Sequence, residues 1–484
     1  MSAELKNLFP KHVWGYFYDL TQIPRPTGKM EAVTRYVIQF GKSLGLETLQ
    51  DEVGNVVIRK PATPGCENRP PVILQAHLDM VPQKNLHVKH DFEKDPIDAY
   101  IDGEWVTARD TTLGADNGIG VALAMAVLSD NSLKHGAVEA LFTVDEEVGM
   151  DGALGLKPGF LCGRTMINCD SEEEGELFVG CAGGADINVS LQFKDDPYVP
   201  EGDMGVRLSL TGLKGGHSGV DIHLGRANAN KLMFRFLKEA VCDYGARLAF
   251  IEGGSLRNAI PREAFAIITI PGDNAEALWE LVADYQDMYR MEYVGIEDKI
   301  TFTAEEWKLP ASLIPEEIQD DLINAVEACQ NGVISMQHDF PGTVESSSNL
   351  ALVKIGEGKV DVKILVRSSS ETRKQAVCSS LESVFALAGA KVEQASGYNG
   401  WRPNIDSPVL KIMKETYKQL YGKEPSVKVM HAGLECGIIQ GIYPDMDMIS
   451  IGPDLQFPHS PDEQVNIASV EKVWKFIVAA LERI

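Results

Sequence analysis

Two histidines and three carboxylates sit at or just beyond the ends of apolar, strand-like runs, and that donor set can hold a pair of metal ions. His77 closes Val-Ile-Leu-Gln-Ala-His77, Asp116 follows Thr-Leu-Gly-Ala, and Glu147 ends Leu-Phe-Thr-Val-Asp145-Glu146-Glu147. Asp170 follows Met-Ile-Asn-Cys, and His459 lies in Pro-His459-Ser-Pro shortly after Ser-Ile-Gly-Pro. Mixed imidazole and carboxylate donors suit zinc, cobalt or manganese. Two ions ~3.5–4 Å apart would share one of the carboxylates. With a spare glutamate beside them, such a pair points to hydrolysis of an amide bond.

The neighbours of these residues add to the chemistry. Asp79, two residues beyond His77, can accept the proton of the other ring nitrogen and fix the tautomer. Gly118 and Gly120 permit a tight turn after Asp116, which could equally serve as a helix N-cap. Glu146 and Glu147 would point to opposite sides of an extended chain, so one can bind metal while the other takes a proton. A solvated acidic loop is the plainer account of them, but the apolar strand expected at 138–144 runs straight into the pair. Gly215-Gly216-His217-Ser218-Gly219 presents an imidazole that could polarise a carbonyl. Asn258, in the turn Leu-Arg-Asn-Ala-Ile-Pro, could hydrogen-bond a substrate backbone. Arg367, after an apolar run at 360–366, could clamp a carboxylate through two bonds; a surface salt bridge accounts for it as well.

The elements that must position these groups are legible as periodic patterns. Residues 1–198 predict helices at 8–20, 30–44 and 117–128 and strands at 55–60, 71–76, 138–144 and 164–169. Such alternation implies an α/β layer with a largely parallel, buried sheet flanked by helices. His77, Asp116, Glu147 and Asp170 fall at strand C-termini or in the loops after them, where open α/β sheets place their sites. Residues 199–398 change character. Strands at 206–211, 247–252, 264–270 and 300–303, with helices at 227–241 and 274–289, follow the ferredoxin-like order. A second such unit is expected from about 315 to 395, with helices at 316–329 and 372–387 and strands at 350–355 and 360–366. From 399 the α/β pattern returns, with a helix at 413–421, a strand at 446–451 and a helix at 470–482. The late position of His459 requires this tail to rejoin the first sheet. Residues 1–198 and 399–484 are therefore expected to form one catalytic domain, interrupted by an inserted α+β lid.

Composition narrows the partners. The 484 residues exceed one core, and 44% hydrophobic with 24% charged content is that of a soluble globular protein. No apolar run reaches the ~18 residues of a membrane helix, and the N-terminus lacks a signal peptide, so the expected location is cytoplasmic. None of the eight cysteines forms a Cys-x-x-Cys pair, which excludes a zinc ribbon or redox motif. A net charge of −25 argues against nucleic acid and anionic membranes as partners. The absence of Gly-x-Ser-x-Gly argues against a serine hydrolase.

Taken together, Gln-Ala-His-Leu-Asp-Met-Val-Pro-Gln-Lys, Thr-Thr-Leu-Gly-Ala-Asp-Asn-Gly-Ile-Gly, Leu-Lys-Gly-Gly-His-Ser-Gly, Leu-Arg-Asn-Ala-Ile-Pro-Arg-Glu-Ala-Phe-Ala and His-Ala-Gly-Leu-Glu-Cys-Gly resemble the co-catalytic di-zinc family of carnosinases, aminoacylases, glutamate carboxypeptidases and succinyl-diaminopimelate desuccinylase. The resemblance spans the chain and is strongest toward the bacterial dipeptidases of that family. It implies a zinc-peptidase-like catalytic domain and a metallopeptidase acting on unblocked dipeptides, notably Xaa-His including β-alanyl-histidine (carnosine). One zinc would take His77 and Asp170 and the other Glu147 and His459, with Asp116 and the attacking water bridging; cobalt or manganese are substitutes. Asp79 would orient His77, and Glu146 would act as general base and then as proton donor to the leaving amine. His217 would stabilise the oxyanion, His431 and Glu435 would bind the substrate α-amino group, and the Asp116–Asn117 peptide would be cis. Asp at 170, where the family's carboxypeptidases and desuccinylases carry Glu, resembles its dipeptidase and aminopeptidase members. Relatives with a single-sized lid take the oxyanion histidine from a partner subunit. The double-sized lid here is expected to supply His217 from the same chain, and a homodimer stays open. An N-acyl amino acid deacylase or a tripeptidase is the alternative activity. A non-catalytic binding protein on this fold would be expected to have lost the base or a ligand, and all are present.

Overall fold

Four apolar strands lie parallel at the centre of the first part of the molecule, in the order Val138–Thr143, Val72–His77, Thr165–Asn168, Asp447–Ser450. Every residue of the first two is buried, so they read as continuous apolar runs rather than alternating ones. Val56–Lys60 and Glu47–Gln50 extend the sheet antiparallel on one side, and Glu176–Cys181 and Ser426–Met430 complete eight strands on the other. The helix Ala115–Ser129 is apolar on all sides and packs on Val72–His77 and on the helix Lys11–Thr21, which explains its near-complete burial. A small sheet, Leu455–Gln456, Gln464–Asn466, Trp105–Ala108, Ala99–Asp102, ties the tail of the chain to the hairpin that leads into that helix.

The computed structural model describes residues 2–197 and 199–484 and divides into two units. The first comprises Met1–Cys181, Trp401–Val429 and Leu434–Ile484; the second comprises Ala182–Gly400 and Met430–Gly433. A mixed sheet with a parallel centre and an inserted α+β unit is the architecture expected from the pattern.

The second unit is built on one antiparallel sheet. Its order is Thr301–Trp307, Asp203–Thr211, Ala264–Pro271, Arg247–Gly253, Val344–Gly356, Lys359–Ser368, Gly183–Gln192, Lys391–Tyr398, with Gly332–Met336 paired to Val344–Gly356. Each half, numbered by its own strands, has the order 4-1-3-2, the ferredoxin-like arrangement. The helices Ala229–Tyr244 and Ala275–Glu292 belong to one half, and Glu316–Ala328 and Glu371–Leu387 to the other. A single apolar core, with Phe234, Phe236, Tyr289, Phe302 and Phe385 in it, runs through both.

The insertion differs from the expected 199–398 in two places. Gly183–Gln192 is the first strand of the second ferredoxin-like half, so the first half is nested inside the second. Its half-alternating burial suits either sheet, and only its pairing with Lys359–Ser368 and Lys391–Tyr398 decides the matter. Residues 430–433, expected in the catalytic tail, also group with this unit and take His431 with them. Among the described residues no helix is long and apolar enough to cross a membrane.

Candidate metal centre

His77 ends its strand fully buried, and its ring is held from both sides. Nδ1 lies 3.3 Å from Asp79 Oδ1, while Nε2 lies 3.0 Å from Asp116 Oδ1 and 3.3 Å from Asp170 Oδ1. His459, half-exposed in the loop of the small sheet, places Nε2 3.2 Å from Asp116 Oδ2 and 3.0 Å from Glu147 Oε2. Asp116 thus turns one oxygen to each histidine. Ligand atoms of His77, Asp116 and Asp170 lie within 4.8 Å of one another, as do those of Asp116, Glu147 and His459, and those of His77, Glu146 and Glu147.

Local structure explains the placement. Asp116 does not cap its helix: its backbone is non-helical, the peptide to Asn117 is cis, and Asn117 Nδ2 donates to Asp170 Oδ1. Glu146 and Glu147 are not extended as expected. They open the one-turn helix Glu146–Gly149, because Asp79 accepts both their backbone N–H groups at 3.1 and 3.2 Å. In a helix, neighbours diverge by ~100°, which still separates the two carboxylates. Asp79 therefore joins the His77 ring to the glutamate pair, and Thr27 Oγ1 donates to it as well. Asp145 and His459 hold left-handed backbones at φ 52° and 60°. Each costs about 1–3 kcal/mol; at Asp145 a 2.6 Å bond from Gly28 N to its carboxylate helps to offset this.

A row of buried polar side chains lies behind the ligands, Gln75 two residues before His77 and Asn168 two before Asp170. Gln75 donates to Thr143 Oγ1 (3.1 Å) and Glu435 Oε2 (2.5 Å), Asn168 Nδ2 donates to Gln75 Oε1, and Ser450 Oγ donates to Asn168 Oδ1. Apart from Glu435, the only sequence signal for this row is polar residues inside otherwise apolar strands. Glu435 belongs to it: it is wholly buried, and Thr143 Oγ1 also donates to its Oε2 at 2.7 Å. That position suits support of the strands better than the expected contact with an α-amino group.

Charge is the common currency of the cluster. Burial raises Asp170 to about 6, Glu435 to about 7 and Glu172 to about 8, and lifts Glu146 well above the carboxylate range. Burial opposes a charge on His77, but Asp170, Asp116 and Asp79 outweigh it and hold the ring's pKa well up. Hydrogen bonds to Asp116 and Glu147 take His459 to about 11. Asp116 goes the other way, pulled far down by both imidazoles despite its burial. Crowded carboxylates that resist ionising and imidazoles that retain protons describe a site that calls for positive charge, which divalent cations supply. The donors fit. A tetrahedral ion with bonds of ~2.0–2.1 Å spaces its ligand atoms by ~3.3 Å, close to the distances above. Glu147 Oε1 is moreover buried without a partner.

The other expected residues gather in the second unit. Gly216–His217 pairs with Ala259–Ile260, which sets Asn258 beside the histidine, its carbonyl accepting from Ser218 N at 2.8 Å. Gly219 N and Val220 N donate to His217 Nδ1 at 3.2 and 3.0 Å, which leaves the ring proton on Nε2 as a donor. Burial and then Arg367 lower His217 to about 4, so the ring stays neutral. Arg367 is buried, not a surface ion pair; it donates to Tyr398 Oη at 3.0 Å, and its Nε has no partner. His431 Nε2 bonds Ser347 Oγ at 2.7 Å. A Cβ on Gly219 would meet His431 O, His217 Cε1 and Arg367 Nε, so this group closes around one glycine. Ser347, in the run Glu-Ser-Ser-Ser-Asn, was not anticipated from the sequence.

Known proteins are similar to this chain in sequence and fold. Residues 73–483 match the model of peptidase family M20/M25/M40. The cytosol non-specific dipeptidase of Escherichia coli (strain K12) is 46% identical over 482 residues, covering 100% of this chain and 99% of that protein. Aminoacylhistidine dipeptidase from Vibrio alginolyticus superposes with a TM-score of 0.93 at 46% identity, covering 99% of this chain and 98% of that one. Aminopeptidase PepT from Bacillus cereus ATCC 10987, at 16% identity and a TM-score of 0.58 with 98% of each chain covered, shares the fold. With a matching sequence along its whole length and a cluster of donors fit for metal, the chain belongs to peptidase family M20/M25/M40 and is a hydrolase of peptide bonds.

Proposed function

We propose that this hydrolase is a cytoplasmic dipeptidase that cleaves unblocked dipeptides, notably Xaa-His including β-alanyl-histidine, and that it uses two zinc ions per chain. The observation that carries this reading is Asp116, whose two oxygens face His77 and His459 separately at 3.0 and 3.2 Å. His77 and Asp170 would hold one ion and Glu147 and His459 the other, with Asp116 shared. When bound, such a pair polarises the scissile carbonyl and makes water acidic enough to attack near neutral pH. Glu146 takes a proton from the attacking water and returns it to the leaving nitrogen. Asp79 fixes the His77 tautomer through Nδ1. His217, neutral and with its proton on Nε2, donates to the carbonyl oxygen as negative charge grows there. Arg367 receives the substrate carboxylate, Asn258 its backbone, and His431 with Ser347 a polar group of the substrate.

The dipeptidase named for E. coli and the aminoacylhistidine dipeptidase named for Vibrio support this substrate class. The test is release of histidine from β-alanyl-histidine by zinc-loaded and chelator-stripped protein. Release that requires metal is expected. Cleavage of N-acetyl amino acids with no action on any unblocked dipeptide would overturn the reading in favour of a deacylase.

A further inference from the structure

The loop that presents Asp116 is gripped by two buried side chains of opposite charge, neither of them a candidate ligand. Glu463 is 2% exposed and accepts four successive backbone N–H groups. Oε2 takes Leu113 N and Gly114 N at 2.7 and 2.9 Å, and Oε1 takes Ala115 N and Asp116 N at 2.7 and 3.2 Å. Arg25 is also 2% exposed. Its Nη1 donates to the carbonyls of Leu78 and Asp79 at 2.9 and 3.1 Å, and its Nη2 to that of Gly114. The approach is so close that a Cβ on Gly114 or Gly118 would lie 2.6 Å from Nη2; Gly114, at φ 72°, is also left-handed.

These contacts link three ligand-bearing segments. Arg25 joins the segment just after His77 to the Asp116 loop. Glu463 joins that loop to the one carrying His459: its N–H bonds Ser460 O at 3.1 Å, and its carbonyl accepts from Thr107 Oγ1 at 2.8 Å. Burying two charged groups costs several kcal/mol per ion unless every lone pair and proton is used. Here the bonds are spent on backbone rather than on each other, so the effect is to fix a turn.

We propose that Arg25 and Glu463 are positioning residues that together set the orientation of the Asp116 carboxylate, so that one oxygen faces each metal position. This rests on the reading that the cluster holds two ions. A neutral amide at 463 keeps the shape but presents an N–H group to the loop's donors, so the turn must shift. Lysine at 25 keeps the charge but loses the fork that reaches carbonyls on two segments.

The test is equilibrium titration of chelator-stripped Glu463→Gln and Arg25→Lys with Zn2+ against a chromophoric chelator, together with the visible spectrum of the Co2+-loaded proteins and the metal-free Tm. Both variants are expected to fold with a lowered metal-free Tm, lose ~10–100-fold in affinity for at least one ion, and show an altered cobalt spectrum. Wild-type affinity and spectrum in a folded variant would overturn the proposal. Should Glu463→Gln not fold, Arg25→Lys decides alone. If wild-type protein itself binds no ion, it is the two-ion reading that fails.

Discussion

Four histidines stand in two contrasting settings. In the first unit, carboxylates surround His77 and His459 and push their proton affinity up. In the second, burial and the guanidinium of Arg367 push His217 to about 4 and His431 to about 3. One residue type thus serves opposite ends: a pair set among anions, suited to cations, and a pair kept neutral beside a cation, suited to a substrate's negative charge. Charge in the surroundings, not the imidazole, assigns the role.

The contrast can be broken from either side. Glu146→Gln should lower kcat ~100- to 10,000-fold, and His217→Ala ~100- to 1,000-fold, each with unchanged metal content. Rates and metal analysis on the same samples check this, and loss of metal in His217→Ala would erase the division between the units. Asp79→Asn acts one step back from the ions. It should weaken zinc binding ~10–100-fold in a chelator-competition titration, and unchanged affinity would deny Asp79 its hold on His77.

The smallest effect concerns pH and sharpens the second side. His431 holds its proton only below about pH 3 in the fold, against 6.5 as a free side chain. Between these values the unfolded chain binds the extra proton, so stability complete above pH 6.5 falls as pH drops. The slope from this one group is at most ~1.4 kcal/mol per pH unit. His431→Gln should flatten urea-midpoint curves between about pH 6 and 4, and an unaltered slope would mean that the ring is not buried neutral.

His77, Glu147 and Asp170 were legible because they end or closely follow apolar strands, a pattern local in sequence, whereas Asp116 and His459 lie in a helix start and a loop and were legible only with the others. His217 was legible from the glycines around it. What escaped were residues whose role depends on distant pairing. Arg25 lies between two prolines with no chemical neighbour in sequence, and Glu463 resembles a surface acid until its four backbone donors, some 350 positions away, are in place. Gln75 and Asn168 carry no signal beyond being polar inside apolar strands, and Gly183–Gln192 falls within the 1–198 stretch expected to belong to the first domain, with no strand expected there. Periodicity tells which faces are buried, not which sheet buries them.

Thr165–Asn168 and its sheet neighbour Asp447–Ser450 leave the ribosome far apart in time. At ~5–20 residues per second, His459 emerges roughly 15–60 s after Asp170. Until then the group of Asp116, Glu147 and His459 lacks a member, and Glu463 has not yet gripped the turn before Asp116. On the proposed two-ion reading, a nascent chain that has not yet reached His459 lacks one of the donors around Asp116.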